Sequence, residues 1–258
     1  MDINDLKLKA PIVLAHGLFG FSQIKFFKKI PISYFREIPG FLENRGNRVV
    51  RTEVPPTQSI ESRGHALKDS ILRNLGTEPF HLIAHSMGGL DSRYLITRLG
   101  MDEQVITLTT IGTPHRGTVI ADRLVEKGQR LGLLKLIQYL RIPIEAFYDL
   151  RSSICKDFNI QTPNSPHVRY FSVIGIKRRE ELFFPLRLAS DILTQAEGPN
   201  DGLVSSYSAR WGECETIWNC DHANQIGWMG NKEGKPDLNF DIRKGYEEIL
   251  ERLKKIGF

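Results

Sequence analysis

Residues 80–90 read FHLIAHSMGGL, and this stretch decides the fold. The apolar run from Phe80 to Ala84 has the look of a buried strand, the turn His85-Ser86-Met87-Gly88-Gly89 breaks it sharply, and LDSRYLI at 90–96 continues as a helix. Strand, tight turn and helix in this order make a nucleophile elbow, whose apical serine is held in a strained backbone conformation with its hydroxyl above the sheet. Strand and helix pass so close there that the flanking positions must be small, a demand met by Ala84, Gly88 and Gly89. Ala84 stands where the usual G-x-S-x-G has its first glycine, a difference of one methyl group. Helix capping after a tight turn would account for Ser86 alone, but strand, elbow and helix together point to a nucleophile.

Around the elbow, short β-type runs alternate with helical patterns. PIVLA at 11–15, RVVRTEV at 48–54, QVITLTTIG at 104–112, VRYFSVIG at 168–175 and CETIWN at 214–219 are expected strands. Helices are expected from about Ser59 to Leu75 and from Met87 to Leu99. A last amphipathic helix follows from the spacing of Ile242, Tyr246, Ile249, Leu253 and Ile256. Strand-helix alternation implies a mostly parallel sheet with helices on both faces, because parallel neighbours need a crossover connection. Between Gly117 and Ser165 the rhythm lapses into loosely punctuated helical sequence with Leu124, Leu131, Leu133, Leu134, Leu136, Ile137, Leu140, Ile142, Ile144 and Phe147. The expectation is a single α/β domain over residues 1–258 that carries a helical cap or lid insertion at about 117–165.

A serine hydroxyl needs a base, and after an elbow serine the chain order is acid then histidine, both on loops behind late strands. Of seven histidines only His167 and His222 lie beyond the cap, and His167 precedes a strand, so His222 in NCDHANQIG is the expected base. The acid belongs between Ser86 and His222, and Asp201 in the turn EGPNDGLVS supplies it. Asp191 lies in an apolar stretch, and Asp221 is next to His222, where its side chain would point elsewhere. Two backbone N–H groups are placed to hold an oxyanion: Met87, directly after the nucleophile, and Leu18, in the glycine-rich turn HGLFGF at 16–21. His16 is expected to brace that turn.

The bulk properties remove other classes. With 258 residues and 41% apolar content the chain can bury a large core without disulfides or a structural metal. Cys155, Cys214 and Cys220 are odd in number and lack C-x-x-C spacing, which argues against a zinc site and for a reducing compartment. Asp2 and Asp5 fit neither a secretory signal nor a transit peptide, so a cytoplasmic location is expected. LGLLKLIQYL at 131–140 is interrupted by Lys135 and Gln138 and is far shorter than the ~20 residues of a membrane span. The net charge of +5 comes with no nucleic-acid motif, and no nucleic-acid partner is expected.

Taken together, PIVLAHGLFGF, AHSMGGLDSRYL, IGTPHRGT, GPNDGLVS and DHANQIG resemble, over nearly the whole chain, the bacterial true lipases of the α/β-hydrolase fold and the related microbial triacylglycerol lipases. The resemblance implies Ser86, Asp201 and His222 as triad and Leu18 with Met87 as oxyanion hole. It also implies a lipid ester as substrate, contact with a lipid–water interface, and a lid at about Thr118–Asp149. A carboxylesterase, a phospholipase, or a non-catalytic lipid-binding module on the same fold are the alternatives. Secreted members of the family hold a structural calcium through an aspartate two residues after the catalytic histidine; Asn224 stands there, so no calcium and no other cofactor is expected.

Overall fold

Six strands form one sheet in which every neighbouring pair is parallel: β1 (Ile12–Ala15), β2 (Val49–Arg51), β3 (Phe80–His85), β4 (Val105–Ile111), β5 (Arg169–Gly175) and β6 (Cys214–Trp218), in the order β2-β1-β3-β4-β5-β6. The coordinates are a computed structural model that describes residues 6–18, 33–130, 145–228 and 240–258. Helices α1 (Ile38–Glu43), α2 (Ile60–Leu75) and α3 (Gly88–Arg98) alternate with the first strands. Between β4 and β5 come α4 (Val119–Arg130), α5 (Glu145–Asp149) and α6 (Ser152–Gln161), where the insertion was expected. Residues 131–144 of that insertion lie outside the described residues. The chain ends with α7 (Arg187–Glu197), α8 (Ser206–Ala209) and α9 (Ile242–Lys255).

Side-chain alternation along the strands splits the core in two. Ile12 and Leu14 of β1 face Ile38 and Leu42 of α1 and Tyr246, Ile249, Leu250 and Leu253 of α9. Val13 and Ala15 face the other way, onto Leu67 and Ile71 of α2 and Leu95 and Ile96 of α3. The inner strands are covered on both faces and are therefore largely apolar, whereas the edge strand β6 is mostly exposed. Local signals set the helix bounds: the Ser59 hydroxyl accepts from Ser62 N–H at 3.2 Å at the start of α2, and Gly76 ends it at φ +58°. Ile256 departs from the helical pattern. It follows the last turn of α9 as the cap and is 36% exposed. The loops behind the C-terminal ends of β1, β3, β5 and β6 converge on one edge of the sheet, the usual place for a site in a parallel sheet.

Candidate active site

Ser86 sits at the β3–α3 junction with φ +55°, a left-handed conformation that costs a non-glycine residue about 1–3 kcal/mol. Three contacts hold it there. Its N–H donates to Ile111 O at 2.9 Å, and its carbonyl accepts from Gly89 N–H at 3.0 Å and from the Thr113 hydroxyl at 2.8 Å. The small neighbours have identifiable reasons. A Cβ on Gly88 would lie 2.7 Å from the Ala15 carbonyl of β1, and one on Gly89 would overlap the Thr113 side chain. Ala84 is fully buried in the core on the α2–α3 side, so its extra methyl is accommodated by packing.

Asp201 and His222 meet across two loops. His222 Nδ1 is 2.8 Å from Asp201 Oδ2, the His222 N–H donates to the Asp201 carbonyl at 2.9 Å, and Asp201 is 1% exposed. The other carboxylate oxygen accepts from Leu203 and Val204 N–H at 2.9 and 2.8 Å, so the turn that carries Asp201 fixes its carboxylate from behind. Gln225, not singled out in the sequence, donates Nε2–H to Asp201 Oδ2 at 2.8 Å. Since a carboxylate only accepts, that amide must present Oε1 to His85 Nε2 at 3.0 Å, and His85 Nδ1 is left to accept from the Tyr34 hydroxyl at 2.7 Å. Donation thus runs from Tyr34 through His85 and Gln225 to Asp201, and His222 donates to the same carboxylate oxygen from the other side. Burial, helped by the adjacent His222, pushes His85 far below the ordinary imidazole range, so its ring is neutral as the chain requires.

Of the two residues expected to hold an oxyanion, Met87 precedes the first turn of α3, where N–H groups have no intrahelical partner. Leu18 lies in the turn after β1, and both residues pack in one apolar cluster. That turn is clamped by a buried ion pair. Arg63 of α2, fully buried, donates to the His16 carbonyl at 2.8 Å, the Gly17 carbonyl at 3.3 Å and Asp91 of α3 at 2.8 Å, and also to the Pro55 carbonyl. The His16 ring braces the same turn, with Nδ1 3.0 Å from Gly17 O and Nε2 accepting from Val54 N–H at 3.4 Å. Burial, with the Arg63 charge nearby, lowers His16 to about 4, so it is neutral at neutral pH.

Ser86 and His222 line one apolar cavity of about 540 Å³, without a hydrogen bond between them; links of this kind tighten with substrate in place. Leu18, Tyr34, Leu186 and Ile226 form part of its wall, and the segment between β4 and β5 contributes Ile120, Leu124, Phe147 and Leu150. Within the insertion, α6 is tied to the core: Asn159 donates to His115 O at 2.8 Å, and Arg93 of α3 holds both Asn159 and the Thr162 carbonyl. The competing residues sit elsewhere. His167 and His65 are exposed, Asp191 pairs with Arg179 on the surface, and the Asp221 carboxylate turns back to cap Ala223 and Asn224 N–H at 3.0 and 2.8 Å.

A calcium ion does not fit the residues beside His222. Asn224 Oδ1, where the family's ligand would be, accepts from the Lys177 ammonium at 2.8 Å, and a divalent ion there would meet a buried positive charge. Among the described residues no group of three or more His, Cys, Asp or Glu side chains could hold a metal ion.

The chain matches no family model. Triacylglycerol lipase 2 of Saccharomyces cerevisiae is 32% identical over 97% of this chain and 93% of that protein. The triacylglycerol lipase of Vibrio cholerae is 29% identical over 96% of this chain and 88% of its own length. Among solved structures, the mature lipase of Bacillus licheniformis aligns with a TM-score of 0.65 at 26% identity, over 84% of this chain and 86% of that one. With a parallel sheet, a strained elbow serine and relatives that match from end to end, the chain belongs to the triacylglycerol lipase family of α/β-hydrolase enzymes and is a carboxylic ester hydrolase.

Proposed function

We propose that Ser86, His222 and Asp201 are the catalytic triad of this hydrolase, that Leu18 and Met87 N–H groups form its oxyanion hole, and that it cleaves long-chain acyl esters of neutral lipids, triacylglycerol first among them. One observation carries the assignment: a serine held at φ +55° shares an apolar cavity with an imidazole whose Nδ1 is 2.8 Å from a buried carboxylate. With Nδ1–H given to Asp201, His222 Nε2 is the acceptor. It takes the Ser86 proton as the hydroxyl attacks the ester carbonyl, and Asp201 stabilises the imidazolium that forms. The same proton then goes to the departing alcohol, and a water activated by His222 releases the fatty acid from Ser86.

The substrate class follows from the wall of the cavity. Its volume suits a long acyl chain, and among the described residues no lining side chain is Lys or Arg, so a phosphodiester would find no counter-charge. This favours a neutral ester over a phospholipid. Leu124, which lines the cavity, is 53% exposed, and Phe184 and Leu188, two positions either side of the lining residue Leu186, are each 74% exposed. We assign these three side chains to the lipid–water interface.

A fluorophosphonate probe should label the wild type and not Ser86→Ala, whose ester hydrolysis falls to background while its circular dichroism is unchanged. Profiled on p-nitrophenyl esters of increasing chain length, triolein and phosphatidylcholine, the wild type should prefer long chains and triolein. Labelling of Ser86→Ala would remove the nucleophile, and a preference for short esters or phosphatidylcholine would replace the substrate class.

A further inference from the structure

The acid and the base of the triad stand on different loops and must stay 2.8 Å apart. Besides Gln225, a buried residue between them is bonded to both loops. Lys177 follows β5 by two residues and is 8% exposed. Its backbone N–H donates to the carbonyl of Asn200, the neighbour of Asp201, at 3.1 Å. Its ammonium reaches across to Asn224 Oδ1, two residues beyond His222, at 2.8 Å.

Asn224 passes the restraint on. Its N–H donates to Asp221 Oδ1 at 2.8 Å and its Nδ2–H to the Trp228 carbonyl at 3.1 Å, so both sides of the His222 turn hang on it. Asp221, 2% exposed, also accepts from Phe183 N–H at 3.2 Å. Burial raises the Asp221 carboxyl, and the Lys177 charge is among the influences that pull it back down. A buried ammonium is expensive to desolvate and is kept only where it is hydrogen-bonded and faces opposite charge. Asn224 and Asp221 supply both.

We propose that Lys177 is the resident cation of this active site: a covalently attached ammonium that holds the His222 turn against the Asp201 loop, so that the triad geometry needs no divalent ion. It is a positioning residue, acting on His222 through Asn224. A calcium ion takes about six to eight oxygen ligands at about 2.3–2.6 Å, and the first such oxygen is already bound to an ammonium. The lysine fulfils the electrostatic part of that task from within the chain.

The proposal rests on the assignment of Asp201 and His222 as acid and base, and two variants separate the two. If that assignment fails, Asp201→Asn keeps its activity; if only the role of Lys177 fails, Asp201→Asn is inactive and Lys177→Met remains active. The test combines thermal unfolding and p-nitrophenyl ester kinetics of the purified protein with EDTA, with calcium chloride, and with neither. The wild type should show one melting temperature and one kcat in all three. A melting temperature that falls with EDTA and is restored by calcium overturns the proposal, and this arm needs no variant to fold. Lys177→Met should lose at least about tenfold in kcat with KM changed less than about threefold, the split expected when catalytic groups are displaced and the acyl pocket is intact. Lys177→Arg, which keeps the charge, should recover most of that loss. Wild-type kcat in Lys177→Met, or an equal loss in Lys177→Arg, overturns the proposal.

Discussion

Asp201→Asn should remove activity while leaving stability almost unchanged, for a reason peculiar to this site. The carboxylate receives four donors: Leu203 and Val204 N–H on Oδ1, His222 Nδ1–H and Gln225 Nε2–H on Oδ2. Asparagine keeps one oxygen and gains an NH2. The backbone N–H groups cannot change, so the oxygen stays with them and the NH2 faces His222 and Gln225. Every group beyond can reverse. His222 moves its proton to Nε2 and accepts at Nδ1. Gln225 flips its amide, the neutral His85 changes tautomer, and the Tyr34 hydroxyl turns from donor to acceptor. No hydrogen bond is lost, so the change in unfolding free energy should stay within about 1 kcal/mol. The enzyme pays in catalysis, because a protonated Nε2 cannot take the Ser86 proton. The same substitution in serine proteases lowers kcat about 10⁴-fold through the wrong tautomer, equivalent to about 5 kcal/mol of transition-state stabilisation. Steady-state kinetics with a p-nitrophenyl ester and urea unfolding of the same preparation measure both quantities. A kcat within about tenfold of wild type would show that Asp201 is not the acid; a loss of several kcal/mol in stability would refute the reversible chain.

Two other perturbations address the parts that hold the site. Arg63→Met leaves buried Asp91 without its partner, which should cost about 3 kcal/mol or more of stability, and it frees the oxyanion turn, which should lower kcat about 10²-fold. Adding Asp91→Leu should restore most of the stability in urea unfolding without restoring kcat, and full recovery of kcat would mean that Arg63 acts through stability alone. His81 offers a pH test far from the chemistry: burial lowers its imidazole from 6.5 to about 4, and its Nδ1 meets the Thr107 hydroxyl at 3.0 Å. Below pH 6.5 the unfolded chain takes up a proton there that the folded chain refuses, so this group makes stability decline as pH falls from about 6.5 to about 4. His81→Gln should remove that dependence, and the difference in unfolding free energy between the two proteins should change by about 3 kcal/mol across the window. Parallel stability–pH curves would refute it.

Much of this was legible before any coordinates. The inner strands PIVLA, FHLIA, QVITLTTIG and VRYFSVIG fall where their apolar runs placed them, because a strand covered on both faces cannot hide its composition. The elbow was legible too, since close backbone approach leaves a local mark in Gly88 and Gly89. Arg63 and Asp91 left none. They lie 28 positions apart on two helices, and only the packing of α2 on α3 makes them a pair. Gln225 and Lys177 look like ordinary polar residues in loops, and 24 and 47 positions separate them from their partners Asp201 and Asn224.

The sequence by itself determined which residues could do the chemistry: a serine on a strained turn, an acid and a histidine in the right order behind late strands, and a lipophilic insertion between them. Local conformational preference and strand periodicity act over a few residues, and those features are written at that range. Tertiary structure decided how these groups are held. The chain of hydrogen bonds from Tyr34 to Asp201, the Arg63 clamp on the turn after β1, and the Lys177 ammonium on Asn224 all depend on groups that become neighbours only when the sheet assembles.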